Sequence, residues 1–156
     1  MLCIRDSVAK TGACRHGSSG VVPEGETMKI SYEPIGIMHC ELKDTASAPN
    51  FFSISKIKGT IEIYEPYIQG LLGLEQLDHI FVLFHFHLSG RYSLVQKRMG
   101  QGEMKGVFSL CSPMRPNSIG MSVLKLLRVE RQLIYVDNVD LMDETPILDI
   151  KPYKPL

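Results

Sequence analysis

The chain has 156 residues with 13 glycines, 9 prolines and no tryptophan, enough for one ordinary domain with a core of its own. Hydrophobic residues make up 44% and charged residues 22%, which is globular usage rather than disordered or collagenous. The 17 Lys+Arg balance 17 Asp+Glu, which excludes a uniformly basic nucleic-acid glove; the longest wholly apolar run, Ile80–Phe84, is far short of the roughly 18–20 residues a membrane helix needs.

Residues 1–27 carry Gly17-Ser18-Ser19-Gly20 and Pro23-Glu24-Gly25-Glu26 without sustained periodicity and read as a flexible N-terminal leader. Arg5 and Asp6 interrupt any signal-peptide core. Cys3, Cys14, Cys40 and Cys111 are scattered without metal-ribbon or disulfide-framework spacing, so the expected compartment is reducing and cytoplasmic. The folded domain spans 28–156. Ile30, Tyr32, Ile35 and Ile37 give a broken alternation around Pro34, and Ile57, Gly59, Ile61 and Ile63 a clean period of two. Leu71, Leu74 and Leu77 predict one short helix within Tyr67–Leu77. The dense apolar run of His79–Leu88 predicts a strand covered on both faces. Arg91–Gly106, with Gly100, Gly102 and Gly106, reads as a long loop. Gly106–Cys111 and Gln132–Val139 read as further strands, and Gly120–Arg131 suits either a helix or a buried strand. The economical architecture is all-β or β-rich: a β-barrel with short helical insertions.

Charge is segregated along this frame. Residues 91–115 carry Arg91, Lys97, Arg98, Lys105 and Arg115 against Glu103, whereas 132–150 carry Asp137, Asp140, Asp143, Glu144 and Asp149 with no Lys or Arg. The two regions either serve a polyanionic substrate and a cationic cofactor together or simply neutralise each other across a surface. His85-x-His87 on a strand puts both imidazoles on one face, a geometry some metal sites use, but no third and fourth ligand is fixed by spacing and no metal is expected. Gly100-x-Gly102-x-x-x-Gly106 misses the dinucleotide fingerprint, and phosphate-loop and serine-nucleophile motifs are absent.

Two segments remain. In Ser112–Ser122, Pro113 and Pro116 stiffen a backbone that presents Arg115 and Asn117, residues suited to phosphate or base recognition. In Val139–Tyr153, carboxylates alternate with apolar residues, so several sit near the core and each needs a donor, a cation or a ligand.

Arg115-Pro116-Asn117-Ser118-Ile119-Gly120-Met121-Ser122, followed by Asp140-Leu141-Met142-Asp143-Glu144-Thr145-Pro146 and Asp149-Ile150-Lys151-Pro152-Tyr153, resembles the TsaA-like family over essentially Met28–Leu156. The resemblance implies a single-sheet β-barrel and a homodimer that binds S-adenosyl-L-methionine. It also implies N6-methylation of threonylcarbamoyladenosine in the tRNA anticodon loop. By position, the cofactor pocket draws on Asn50, on Phe86, His87 and Leu88, on Cys111, and on Asp140, Leu141, Met142 and Asp143. The chain departs from the family pattern at Ser118 (usually proline), Glu144 (usually glycine), Cys111 (often arginine), Leu88 (glutamine in bacterial members) and Asn50 (arginine there).

The chemistry agrees with that reading. A sulfonium cation favours carboxylates, here Asp140 and Asp143, and aromatic faces, here Phe84, Phe86 and Phe108. Asp143, then His87, is the expected base for the attacking nitrogen's proton. Arg115, Asn117, Arg98 and Lys105 are the expected RNA contacts. The competing expectations are a non-catalytic barrel binding S-adenosyl-L-methionine or RNA, and a metal-dependent barrel using His85 and His87.

Overall fold

The computed structural model describes residues 29–44, 55–98 and 101–153. The predicted leader and Asn50 lie outside these residues. All described strands fall within the compact unit Tyr32–Leu156. They are β1 (Gly36–Cys40), β2 (Gly59–Ile63), β3 (His79–His85), β4 (Val95–Arg98), β5 (Gln101–Gly106), β6 (Ile119–Glu130), β7 (Leu133–Asp137) and β8 (Pro146–Pro152). Six of them close into an antiparallel barrel in the order β1-β2-β7-β6-β3-β8, and β4 and β5 form a separate two-stranded ribbon.

Alternation builds the barrel. On β2, Ile61 and Ile63 point inward; on β3, Ile80, Val82 and Phe84 do the same, joined by Met38, Leu124, Leu126, Ile134, Val136 and Ile147. Closure leaves the barrel sheet without an edge, and its inward positions make one continuous core. The ambiguous segment Gly120–Arg131 is strand. Gly120, Ser122, Leu124 and Leu126 face inward in strict alternation, and a bulge between Leu126 and Arg128 then reverses the phase. That bulge bends a 12-residue strand around a small barrel.

Several expectations are corrected. The single helix in Tyr67–Leu77 is two 3₁₀ turns, Glu65–Leu71 and Leu74–Gln76, because Gly73 adopts φ +82° and breaks the run. The strand predicted at Gly106–Cys111 is a 3₁₀ turn, Val107–Ser109. The predicted loop 91–106 contains the β4–β5 ribbon. β3 stops at His85 and is fully buried on one face only; its other face carries half-buried Phe81 and Leu83. No described helix is long and apolar enough to cross a membrane.

Antiparallel pairing places the C-terminal ends of β1, β3 and β7 with the N-terminal ends of β2, β6 and β8. Described candidate residues on 86–88, 111–117 and 140–143 flank these strand ends, so topology gathers them at one end of the barrel. An open depression lined by Glu130, Arg131, Gln132 and Leu133 lies at the opposite end, by the β6–β7 turn.

Candidate functional site

The acidic segment between β7 and β8 is laid along the end of β1. Met38 N–H donates to Thr145 O (3.0 Å), Glu144 N–H to Met38 O (2.8 Å) and Asp143 N–H to Leu42 O (2.8 Å). Asp143 Oδ1 accepts the Cys40 backbone N–H at 3.0 Å, and its Oδ2 lies 4.0 Å from Lys43 Nζ. Leu141 is buried, and its carbonyl accepts a hydrogen bond from the Cys40 thiol at 3.3 Å. Burial pushes the Cys40 thiol above its usual pKa; the Asp143 and Glu41 charges push the same way, against a lowering hydrogen bond from the Leu42 backbone. Met142 is half-buried.

Asp140 reaches the barrel interior. Its Oδ1 accepts a 2.6 Å hydrogen bond from Ser122 Oγ, and Ser122 is 1% exposed on the inner face of β6. An inward serine is the one polar interruption of the inward row Gly120, Ser122, Leu124, Leu126, and it positions a carboxylate at the mouth. The sequence reading did not single out Ser122 as a partner; the signal was a hydroxyl at a core position of an alternating strand.

Glu144, where the family motif usually has glycine, sits at φ +60°, in the left-handed region. The turn keeps its shape and carries a side chain at a strained position.

The second motif packs on β3. Phe86 lies edge-on to Phe84 with ring centroids 5.0 Å apart. A Cβ on Gly120 would come within 2.4 Å of the Phe84 ring and 2.9 Å of Phe86, so the motif glycine exists to admit those rings. Phe86 N–H donates to Ser118 O (2.8 Å), and Ser89 Oγ to Pro113 O (2.9 Å), tying the turn after β3 to the motif. Phe84 belongs to the core near the C-terminal end of β3, and Phe108 is 80% exposed. His85 is exposed at the strand end and His87 half-buried in the following turn, so strand alternation does not carry both onto one face. Among the described residues no cluster of three His, Cys, Asp or Glu could hold a metal ion. Leu88 and Cys111 are exposed.

Arg115 is turned onto its own chain: Nη1 donates to Val107 O (3.3 Å) and Leu110 O (2.8 Å). Asn117 is exposed, as is Lys105 on β5, and Arg98 ends β4. Gln96, on β4, was also missed by sequence reasoning. Its buried amide donates to Ser93 O and Met114 O and accepts from Ser112 Oγ, each at 2.7 Å.

The family model for the N-terminal domain of tRNA-methyltransferase O matches residues 37–156. The chain belongs to this family. The fold agrees: a crystal structure of TrmO from Pseudomonas aeruginosa superposes with a TM-score of 0.71 at 36% identity, covering 85% of this chain and 58% of that one. A probable S-adenosyl-L-methionine-binding protein of Pyrococcus abyssi is 38% identical over 129 residues, 82% of this chain and 70% of the relative. A human tRNA (adenine(37)-N6)-methyltransferase is 38% identical over 141 residues, 85% of this chain but 32% of the relative. The chain thus spans about a third of the human TrmO-family enzyme it matches. The TsaA-like resemblance and the single barrel are both borne out.

Proposed function

We propose that this protein transfers a methyl group from S-adenosyl-L-methionine to N6 of an adenosine in tRNA, the threonylcarbamoyl-bearing adenosine of the anticodon loop. One observation carries the reading: the TrmO-family barrel, matched over 37–156, keeps its acidic segment braced against the barrel end, with Asp140 on Ser122 and Asp143 on Cys40. When bound, S-adenosyl-L-methionine supplies an electrophilic methyl on a sulfonium cation. The residues present fit such a group in charge and polarity. Asp140 and Asp143 supply negative charge already oriented by protein donors, so little ordering remains for binding. Phe86, His87, Leu88, Cys111, Leu141 and Met142 are the proposed lining, together with Asn50.

Methyl transfer to an adenosine nitrogen is an in-line displacement, and most of the acceleration comes from alignment at about 3–3.5 Å. The nitrogen sheds a proton, and a positioned base contributes roughly 10²–10⁴-fold. Asp143 is the proposed base through Oδ2, because Oδ1 is spent on the Cys40 N–H; His87 is the second candidate. Asn117, Arg98 and Lys105 are proposed RNA contacts.

The cytoplasm, where tRNA is processed, is the proposed location, and a homodimer the proposed state. The outward face of β3 and β6 supports the dimer: Phe81 pairs across from Val123 and Leu83 from Met121, with Met121 64% exposed. A non-catalytic barrel remains the second reading, favoured by exposed Leu88 and Cys111, which stand where the family pattern has glutamine in bacterial members and often arginine.

The test is incubation with methyl-labelled S-adenosyl-L-methionine and total tRNA, then nucleoside analysis. Label on an N6-methylated adenosine derivative is expected. Cofactor binding without label supports the second reading, and the absence of both cofactor binding and label rejects the methyltransferase reading and leaves the second only as an RNA binder.

A further inference from the structure

β4 and β5 form a ribbon outside the barrel order, and a two-stranded ribbon is marginal by itself. This one is anchored. Gln96 ties it to Ser112 and Met114, and Val107 N–H donates to Leu94 O at 2.9 Å. The Val107–Ser109 turn follows β5 directly, and Arg115 clamps it through Val107 O and Leu110 O. On that clamped turn Phe108 is 80% exposed, with Tyr92 at 60% on the segment leading into β4. Arg91, Lys97 and Lys105 are exposed on the same ribbon and its approach, and none is ion-paired with another described residue.

A turn held by two Arg115 hydrogen bonds that leaves a phenyl ring in water, following a ribbon whose lysines are ion-paired with no described residue, suits a polyanion with aromatic faces. We propose that the ribbon and turn are the RNA-docking arm of the site: Phe108 stacks on an unpaired base, and Lys97 and Lys105, which the register sets on opposite faces of the ribbon (across from Met104 and Gln96), reach phosphates on either side of it. This rests on the methyltransferase reading and specifies how its RNA is held. Arg115 is then a positioning residue that acts through Phe108. The same motif runs on through Ser118, which accepts the Phe86 N–H, into β6, so arm and candidate pocket share one piece of chain. The exposed apolar side chains alone would also suit a protein surface; the unpaired cations favour nucleic acid.

The test is fluorescence anisotropy of a labelled anticodon stem-loop RNA with the full chain, over a series of salt concentrations. Phe108→Ala weakens binding about tenfold with its salt dependence intact. Lys97→Ala/Lys105→Ala lowers the log–log salt slope by about 1.4. Calorimetry with S-adenosyl-L-methionine gives the same affinity in all forms, which separates loss of the arm from loss of the cofactor site. Wild-type RNA affinity and slope in every variant overturn the proposal. So does a Phe108→Ala variant that keeps RNA affinity but sediments as a smaller species, which would assign the turn to a second copy of the chain. RNA binding that depends on Phe108, without any cofactor binding, would leave the arm standing and reject the methyltransferase reading.

Discussion

Ser122 Oγ donates a 2.6 Å hydrogen bond to Asp140 Oδ1, joining a residue sealed inside the barrel to the segment that runs from β7 to β8. The bond fixes a carboxylate at the barrel mouth before any ligand arrives. Ser122→Ala removes a charge-assisted bond, so a loss of about 1.5–3 kcal/mol of stability is expected in urea unfolding. A variant as stable as wild type would mean that Asp140 does not need this brace.

Glu144 adopts φ +60° in a turn held by its own N–H to Met38 O and by the Asp143 N–H to Leu42 O. Glycine relieves that strain at some cost in unfolded-chain entropy. Glu144→Gly is expected to raise stability by up to about 1 kcal/mol, read as a higher melting temperature. A clear drop would show that the Glu144 side chain contributes more than its backbone strain costs.

Gly120 is the opposite case, a glycine required by neighbours rather than by φ. A Cβ there meets the Phe84 ring at 2.4 Å, and the ring is held by Phe86 and the core. Gly120→Ala is expected to cost about 1–3 kcal/mol through overpacking, and to lower the melting temperature where an exposed change such as Lys105→Ala does not.

Cys40 and Cys111 differ in environment. Cys111 is exposed, whereas burial and nearby negative charge hold the Cys40 thiol up. Site-resolved mass spectrometry after iodoacetamide treatment at neutral pH is expected to find Cys111 alkylated well before Cys40. The neutral Cys40 thiol is favoured by the fold, so its contribution is present below the ordinary thiol pKa of about 8.5. It is lost as pH rises through the folded value. Cys40→Ala is expected to flatten that part of the alkaline stability profile; an unchanged slope would assign the loss to other groups.

How much of this was legible varies by element. β2 and the inward half of β3 were readable, because strict alternation over Ile57–Ile63 and a β-rich run over Ile80–Phe84 have a local cause. β6 was ambiguous because the bulge after Leu126 breaks the period of two, and a broken period resembles a helical one. Val107–Ser109 looked like strand by composition; it is a turn beside two carbonyls that Arg115 takes from several residues along the chain, a tertiary contact no local pattern carries. The β4–β5 ribbon hid in a polar, glycine-rich stretch whose partner for Gln96 lies at 112–114. In the site, the carboxylates and the motif glycine stood out in the sequence. Their partners Ser122 and Cys40 did not, because barrel closure, not proximity in sequence, brings them together.

The claim on which the rest depends is that the braced carboxylates at the barrel mouth hold a cationic methyl donor. Titration calorimetry of S-adenosyl-L-methionine into wild type and Asp140→Asn tests it directly. Saturable binding in the wild type, weakened about tenfold or more in the variant, is expected for a charge pair in a partly desolvated site. Equal affinity in the two proteins, or no heat with either, contradicts it.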